Sequence, residues 1–236
     1  QEKLVISERH EAWEHVARKL AHEIKNPLTP IQLIIDNLKY KYDKYIDDID
    51  KEKYDKNLNT ILSQIKQIEN LVNEFSDFAR MPKPMFTYNN LVDLLNLNID
   101  LLKKTDTSII INLTFSQNDD LNLSCDNEQI SRVIFNLLKN SIESIQEKAI
   151  KIGNFDKKIN IEIKRINNYI AINIFDNGIG FSKKITKEII KPYYTTKEKG
   201  SGLGLSIVNK IINDHNGTIE FNSNITGTNI KIRLPI

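Results

Sequence analysis

Ile159-Asn160-Ile161-Glu162-Ile163-Lys164-Arg165-Ile166, then Asn167-Asn168, then Tyr169-Ile170-Ala171-Ile172-Asn173-Ile174-Phe175: apolar and polar residues alternate on both sides of an asparagine pair. That pattern predicts a β-hairpin. Outward from it, residues 219–222 and 228–234 read as a closing hairpin, and 109–115 and 121–124 as strands. Residues 91–102 and 127–149 read as helices, and a helix from 203 to 215 stops at Gly217. Strands mostly adjoin strands here instead of alternating with helices. The C-terminal part is therefore predicted to be an α+β sandwich with a mixed or antiparallel sheet.

The N-terminal part has a different period. Val16, Leu20, Ile24, Leu28, Ile31, Ile35, Leu38 and Tyr42 recur at steps of three and four, one stripe of a helix. Leu58, Ile61, Ile65, Ile68, Val72, Phe75 and Ala79 alternate three and four without a slip, the heptad pattern of a bundle. The charged stretch 43–56 between them reads as the connecting turn. A two-helix hairpin buries both stripes poorly. Dimerisation into a four-helix bundle is the natural solution, with a fold back onto the second domain as the alternative. Met81-Pro82-Lys83-Pro84 breaks the helix, because the prolines remove donors and restrict their predecessors. This gives domains at 1–80 and 86–236 with a linker at 81–85, residues 1–12 being the end of an upstream signalling helix.

Composition narrows the function classes. Lys and Arg number 33 against 31 Asp and Glu, so overall charge points to no nucleic-acid or membrane partner. One cysteine, Cys125, excludes a disulfide framework and a cysteine zinc site and fits a reducing compartment. The four histidines lack a metal-ligand spacing. No apolar run reaches the roughly 18–20 residues needed to span a bilayer, and no signal peptide precedes the first helix. The chain begins at Gln1, so it reads as a cytoplasmic piece of something longer, with sensor or membrane-spanning segments expected upstream.

His22-Glu23-Ile24-Lys25-Asn26-Pro27-Leu28 carries the first chemistry. At about 100° per residue, His22 falls opposite the apolar stripe and is predicted to face solvent, with Asn26 one turn on. A nucleophilic imidazole presents one nitrogen to phosphorus while a base orients or takes the other proton, a role suited to Glu23. Pro27 and Pro30 each forfeit a helical hydrogen bond, so a kink is expected just after His22.

Four segments of the second domain look like parts of one nucleotide site. Asn136 and Asn140 stand four apart on one helical face, and carboxamide oxygens suit Mg²⁺. Alone, two asparagines say little in a chain this rich in them. Asp176-Asn177-Gly178-Ile179-Gly180 ends a strand, where a carboxylate can accept a hydrogen bond from an exocyclic amine and Gly178 and Gly180 let backbone approach a base. Tyr194, Thr195, Thr196 and Lys197 supply an aromatic ring, hydroxyls and a cation, and Lys199 a second cation. Gly200, Gly202, Leu203 and Gly204 open a helix, whose exposed amides form an anion site. No P-loop or Rossmann fingerprint occurs.

Together these segments resemble the catalytic core of bacterial sensor histidine kinases, over nearly the whole chain. His22 to Leu28 resembles the family's H box, Asn136 to Asn140 its N box, Asp176 to Gly180 and Gly200 to Gly204 its two glycine boxes, and Tyr193 to Thr196 stands at its F box. The wording around His22 and at Pro192-Tyr193-Tyr194-Thr195-Thr196-Lys197 is most like the nitrogen-regulation subgroup, the NtrY and NtrB type. The resemblance implies a dimeric helical domain, a Bergerat-type ATP-binding domain, autophosphorylation of His22 by ATP, and transfer to an aspartate of a response-regulator receiver domain. It implies that Asn140, assisted by Asn136, ligates Mg²⁺, that Asp176 binds adenine, and that Glu23 is the base. Glu23 and Asn26 match a pattern for dephosphorylating the partner, and the full-length protein is expected in the bacterial inner membrane. Two positions depart: Glu143 replaces a common lysine, leaving Lys197 or Lys199 as the phosphate cation, and Tyr193-Tyr194 replaces phenylalanine, which should preserve aromatic packing. A chaperone-type ATPase is disfavoured, since its glutamate base is Asn136 here and a carboxamide takes no proton from water. A nucleotide-binding scaffold without kinase activity is disfavoured by the intact boxes.

Overall fold

The computed structural model describes residues 2–104, 106–181, 188–195, 200–224 and 226–236, with side chains described from 16 onward apart from 48 and 49. The chain divides into two compact units, residues 1–82 with 197–201 and residues 83–196 with 202–236. Among the described residues no helix is long and apolar enough to cross a membrane.

The first unit is a hairpin of α1 (Glu2–Tyr42) and α2 (Asp48–Ala79). The charged stretch expected as a turn is mostly helix: only 43–47 connects the two, and α2 already runs through 48–56. Asp50, Glu52, Lys53 and Lys56 are exposed there, a pattern that composition alone confuses with a loop. The sides of the hairpin that meet are narrow. On α2, Leu58, Ile65, Val72 and Ala79 are buried, one every seven residues, and on α1 Ala17, Ala21 and Ile35. Ile35, Leu58 and Ile65 cluster with Leu28, Tyr54 and Leu62. Tyr54 also donates from its hydroxyl to the Leu38 carbonyl at 2.9 Å. The wider stripe expected on α1 is not covered: Val16, Leu20, Ile24, Ile31, Leu38 and Tyr42 are 39–46% exposed. One partner helix reaches only part of a helix circumference, so a second row of apolar residues stays open.

Among the described residues the second unit holds three helices and seven strands. A small antiparallel pair, β1 (Thr87–Asn90) with β3 (Asn122–Cys125), lies beside a five-stranded mixed sheet. That sheet runs β2 (Ile110–Phe115), β4 (Lys158–Ile166), β5 (Tyr169–Asp176), β7 (Gly227–Pro235), β6 (Thr218–Asn224). β2 pairs parallel to β4 and every other neighbour is antiparallel. Ile166 pairs with Tyr169 across Asn167-Asn168, and Asn167 takes φ 52°, a left-handed turn conformation that asparagine tolerates. The α+β class is as predicted; β1, which has no apolar alternation, escaped the sequence pattern.

Period two gives the sheet two faces. Ile159, Ile161 and Ile163 of β4, Ile170, Ile172 and Ile174 of β5, and Ile230, Ile232 and Leu234 of β7 are buried. Asn160, Glu162 and Lys164 point the other way, toward solvent. The helices are α3 (Leu91–Lys103), α4 (Asn127–Ile152) and α5 (Gly204–Asp214). α4 packs between α3 and α5 and touches β5. It starts at Asp126, whose Oδ1 accepts the Gln129 N–H at 3.0 Å, an N-cap. The Oδ2 of Asp126 accepts the Met85 N–H at 2.8 Å, and its own N–H donates to Nε2 of the buried His215 at 3.0 Å. His215 Nδ1 lies 2.8 Å from the Ile211 carbonyl, so this imidazole locks the end of α5 to the start of α4.

Candidate functional site

In the first unit, His22, Glu23 and Asn26 are all exposed on α1. Glu23 lies 3.9 Å from Lys19 in a weak surface pair. α1 runs unbroken through Pro27 and Pro30. Since proline has no N–H, the carbonyls of Glu23 and Asn26, four residues earlier, lose their helical donors beside His22.

In the second unit the decisive group is Asp176. It continues the even-numbered face of β5 after Ile170, Ile172 and Ile174, so the strand's own alternation turns it inward, and it is 2% exposed. Its Oδ2 accepts from Ser141 Oγ at 3.1 Å and its Oδ1 from the Gly178 N–H at 3.0 Å. Burial pushes this carboxyl above its ordinary value; the N–H groups of Gly178 and Thr228, the Ser141 hydroxyl and the Lys148 ammonium pull the other way. The outcome is a buried acceptor held by donors at the end of a sheet.

α4 supplies the wall beside it. Asn136, Asn140, Ser144 and Lys148 follow at steps of four, a slowly turning row on one side of the helix. Asn136 and Asn140 are half-buried, and Asn136 Nδ2 donates to the Arg132 carbonyl at 2.9 Å. The Ser144 carbonyl accepts the Ile179 N–H at 3.4 Å, and Lys148 Nζ donates to the Asn177 carbonyl at 2.7 Å. Gly178 is pressed against this row: a Cβ there would overlap Ser144, and one at Gly180, with φ 62°, would overlap the Asn224 carbonyl. Both glycines are thus required by packing of the turn, a demand the sequence reading had assigned to the approach of a base. Ser141, Ser144 and Lys148 are absent from that reading. The step of four from Asn140 could have pointed to the last two; Ser141 has no such signal.

The glycine segment closes the arrangement. Gly202 packs on the backbone of Tyr193 and Tyr194, and Leu203 is fully buried. α5 begins at Gly204 with no side-chain cap, which leaves its first amides for another acceptor. A Cβ at Gly204 would stand 3.5 Å from Asn136 Oδ1, so the uncapped helix start and the first asparagine of α4 face each other. Carboxamide oxygens are hard donors of the kind Mg²⁺ accepts beside phosphate oxygens. Among the described residues no group of three His, Cys, Asp or Glu side chains forms a competing metal site. Tyr194 is half-buried, whereas Tyr193 is 57% exposed with φ 66°, so this ring does not pack as an F-box phenylalanine was expected to. Thr195 is exposed. Thr196, Lys197 and Lys199 lie outside the described residues, and Gly200 inside them.

Comparison with known proteins bears on both units. Residues 12–84 match the His Kinase A (phospho-acceptor) domain, and residues 125–236 the histidine kinase-, DNA gyrase B- and HSP90-like ATPase family. The nitrogen regulation protein NtrY of Azorhizobium caulinodans is 35% identical over 233 residues, covering 99% of this chain and 30% of that protein. A putative NtrY-like sensor histidine kinase of Rickettsia prowazekii is 38% identical, covering 93% and 35%. The chain therefore spans about a third of the length of these relatives. The crystal structure of histidine kinase ThkA in complex with response regulator protein TrrA matches with a TM-score of 0.64 and 27% identity, covering 97% of this chain and 63% of that one.

Proposed function

Because the chain belongs to the sensor histidine kinases, as an NtrY-like catalytic core of a two-component system, we propose that it is an ATP-dependent autokinase. It phosphorylates His22, passes the phosphoryl group to an aspartate of a response-regulator receiver domain, and hydrolyses the resulting aspartyl phosphate. The observation that carries this reading is the buried, donor-held Asp176 in the unit where Asn136 faces the uncapped start of α5. Such a site suits a purine base at one end and phosphates at the other. The companion unit presents an exposed histidine beside a carboxylate.

Asp176 accepts a hydrogen bond from the exocyclic amine of adenine. The amides at Gly200, Gly202, Leu203 and Gly204 take the phosphates; Tyr194, Thr195 and Thr196 supply an aromatic ring and hydroxyls, and Lys197 and Lys199 positive charge, as the sequence motif implies. Asn140, assisted by Asn136, would hold Mg²⁺, which supplies positive charge to the γ-phosphoryl group. A ring nitrogen of His22 attacks the γ-phosphorus in line, the bond to the bridging oxygen breaks, and ADP leaves with its electron pair. Glu23 receives the imidazole proton. Positioning and electrostatics provide most of the acceleration in such transfers. The receiver aspartate then takes the phosphoryl group from His22, and Asn26 positions the water that hydrolyses it.

The uncovered row Val16, Leu20, Ile24, Ile31, Leu38, Ile61 and Ile68 supports a second copy completing a four-helix bundle. A response-regulator partner is supported by the ThkA–TrrA complex. The whole protein is read as a cytoplasmic core joined to membrane-anchored sensor segments.

The test uses γ-labelled ATP, Mg²⁺, this chain and a purified receiver domain. Label should enter the chain first and move to the receiver, and Asn26→Ala should lengthen the receiver's labelled lifetime while leaving the chain's labelling intact. Label reaching the receiver without passing through the chain would refute the relay. Loss of both steps in Asn26→Ala would make Asn26 structural.

A further inference from the structure

The linker that follows α2 ends on a cluster of hydrogen bonds shared by the start of α4 and the end of α5. Met85 N–H donates to Asp126 Oδ2 at 2.8 Å, while Asp126 Oδ1 accepts the Gln129 N–H at 3.0 Å and caps α4. The Asp126 N–H in turn donates to His215 Nε2 at 3.0 Å. Since that nitrogen accepts, the imidazole proton sits on Nδ1 and is given to the Ile211 carbonyl 2.8 Å away. The Phe86 ring lies 5.1 Å from the His215 ring, centroid to centroid. Asp126 and His215 are 9% and 3% exposed, so solvent offers no ready substitute for these contacts. All of these residues belong to the sheet unit.

Capping alone does not account for the aspartate. Serine and asparagine cap a helix as well as aspartate does, with one acceptor oxygen. Asp126 uses two, and the second holds the linker. With that bond in place, residues 80–84, two of them proline, separate the last residue of α2, Ala79, from the anchor. Without it, the next backbone anchor described is Thr87, where β1 pairs with Cys125. A short, proline-stiffened tether presents what it carries in fewer orientations than a longer one.

We propose that Asp126, held in place by His215, is a positioning residue for the phosphorylation of His22, because it fixes the linker to the sheet unit at Met85. This rests on the autokinase reading. Transfer needs the γ-phosphorus and the imidazole nitrogen in line, and a misplacement of about 1 Å can slow such a step roughly a hundredfold. The groups assigned to base and phosphates lie on other residues. Loss of the anchor therefore slows the transfer and leaves nucleotide affinity alone.

The experiment follows labelling of the full chain by γ-labelled ATP and Mg²⁺ as a function of ATP concentration, with ATP affinity measured by calorimetry and Met85 amide exchange by hydrogen exchange. Asp126→Ser keeps an oxygen for the Gln129 N–H and drops the one that Met85 uses. Its kcat should fall about tenfold, with KM and ATP affinity within about twofold of wild type and a Met85 amide that exchanges fast. Asp126→Asn also offers one oxygen and serves if Asp126→Ser folds poorly. Two histidine variants separate the imidazole nitrogens. The carboxamide of His215→Gln reaches as far as Nε2 and can accept from the Asp126 N–H, so it should keep most of the wild-type rate. His215→Asn reaches only as far as Nδ1 and should behave like Asp126→Ser. Passage of label to the receiver domain from labelled chain freed of nucleotide should be unchanged throughout. An unchanged kcat in Asp126→Ser, a Met85 amide that stays protected, or ATP affinity that falls in step with the rate would overturn the proposal and leave the autokinase reading standing. A wild type that binds ATP and takes no label would sink that reading, and the proposal with it.

Discussion

The hairpin and the sheet unit reach burial by different routes. In the sheet unit, Leu91, Leu95, Leu123, Leu137, Ile161 and Ile170 are fully buried within one copy. In the hairpin, Ile35, Leu58 and Ile65 form the buried cluster while Ile24, Ile31, Ile61, Ile68 and Leu71 stay 41–44% exposed. One heptad row of α2 is buried against α1, whereas Ile61, Ile68 and Leu71 stay exposed among the described residues. Under the proposed function the difference assigns the roles: the sheet unit, with its own buried core, presents the base site, and the hairpin completes its core against another copy.

The largest effect that sharpens this contrast belongs to Ile61→Asp combined with Ile68→Asp. Each buried apolar side chain at a bundle interface is worth roughly 1.5–3 kcal/mol, and an unpaired charge adds a penalty. Light scattering should report a monomer, while ATP affinity stays within about twofold, as a rough allowance for residues remote from the base site. A dimer that survives would place the interface elsewhere. Ile161→Ala comes next, with a loss of about 2–5 kcal/mol that should appear in melts of the sheet unit at every protein concentration. Concentration dependence of that transition would break the contrast.

His215→Ala is the third. It leaves the buried Asp126 N–H without its acceptor, at about 1–3 kcal/mol, and loosens α4 from α5. Hydrogen exchange at Asp126 and Met85 should rise together; an unchanged Met85 amide would separate the linker from the helix cap. Lys210→Ala, which removes a surface pair to Asp214 at 2.9 Å, should shift stability by less than about 0.5 kcal/mol.

What could be read from the sequence follows from how local each signal is. The β4–β5 hairpin was legible to within a residue at its outer ends, because alternation and an Asn-Asn turn are both local. β1, Thr-Tyr-Asn-Asn at 87–90, is held by its pairing with β3 some 35 residues away and carries no period of its own. The early start of α2 was hidden because Asp50, Lys51, Glu52 and Lys53 look the same on a solvated helix as in a turn. At the candidate site, Asn136, Asn140 and Asp176 were named from spacing and strand position. Ser141 and Lys148 were not, since only the tertiary approach of α4 to the Asp176 turn gives them a partner. The glycines Gly178 and Gly180 were found for one reason and are held by a second, the close packing of the turn.

The central claim is that His22 is the phosphoryl acceptor, and labelling with γ-labelled ATP and Mg²⁺ tests it most directly when this chain is compared with His22→Gln. The account predicts acid-labile, base-stable label in the chain and none in His22→Gln, with ATP affinity unaltered. Label that persists in His22→Gln, or no label in either despite ATP binding, would contradict it.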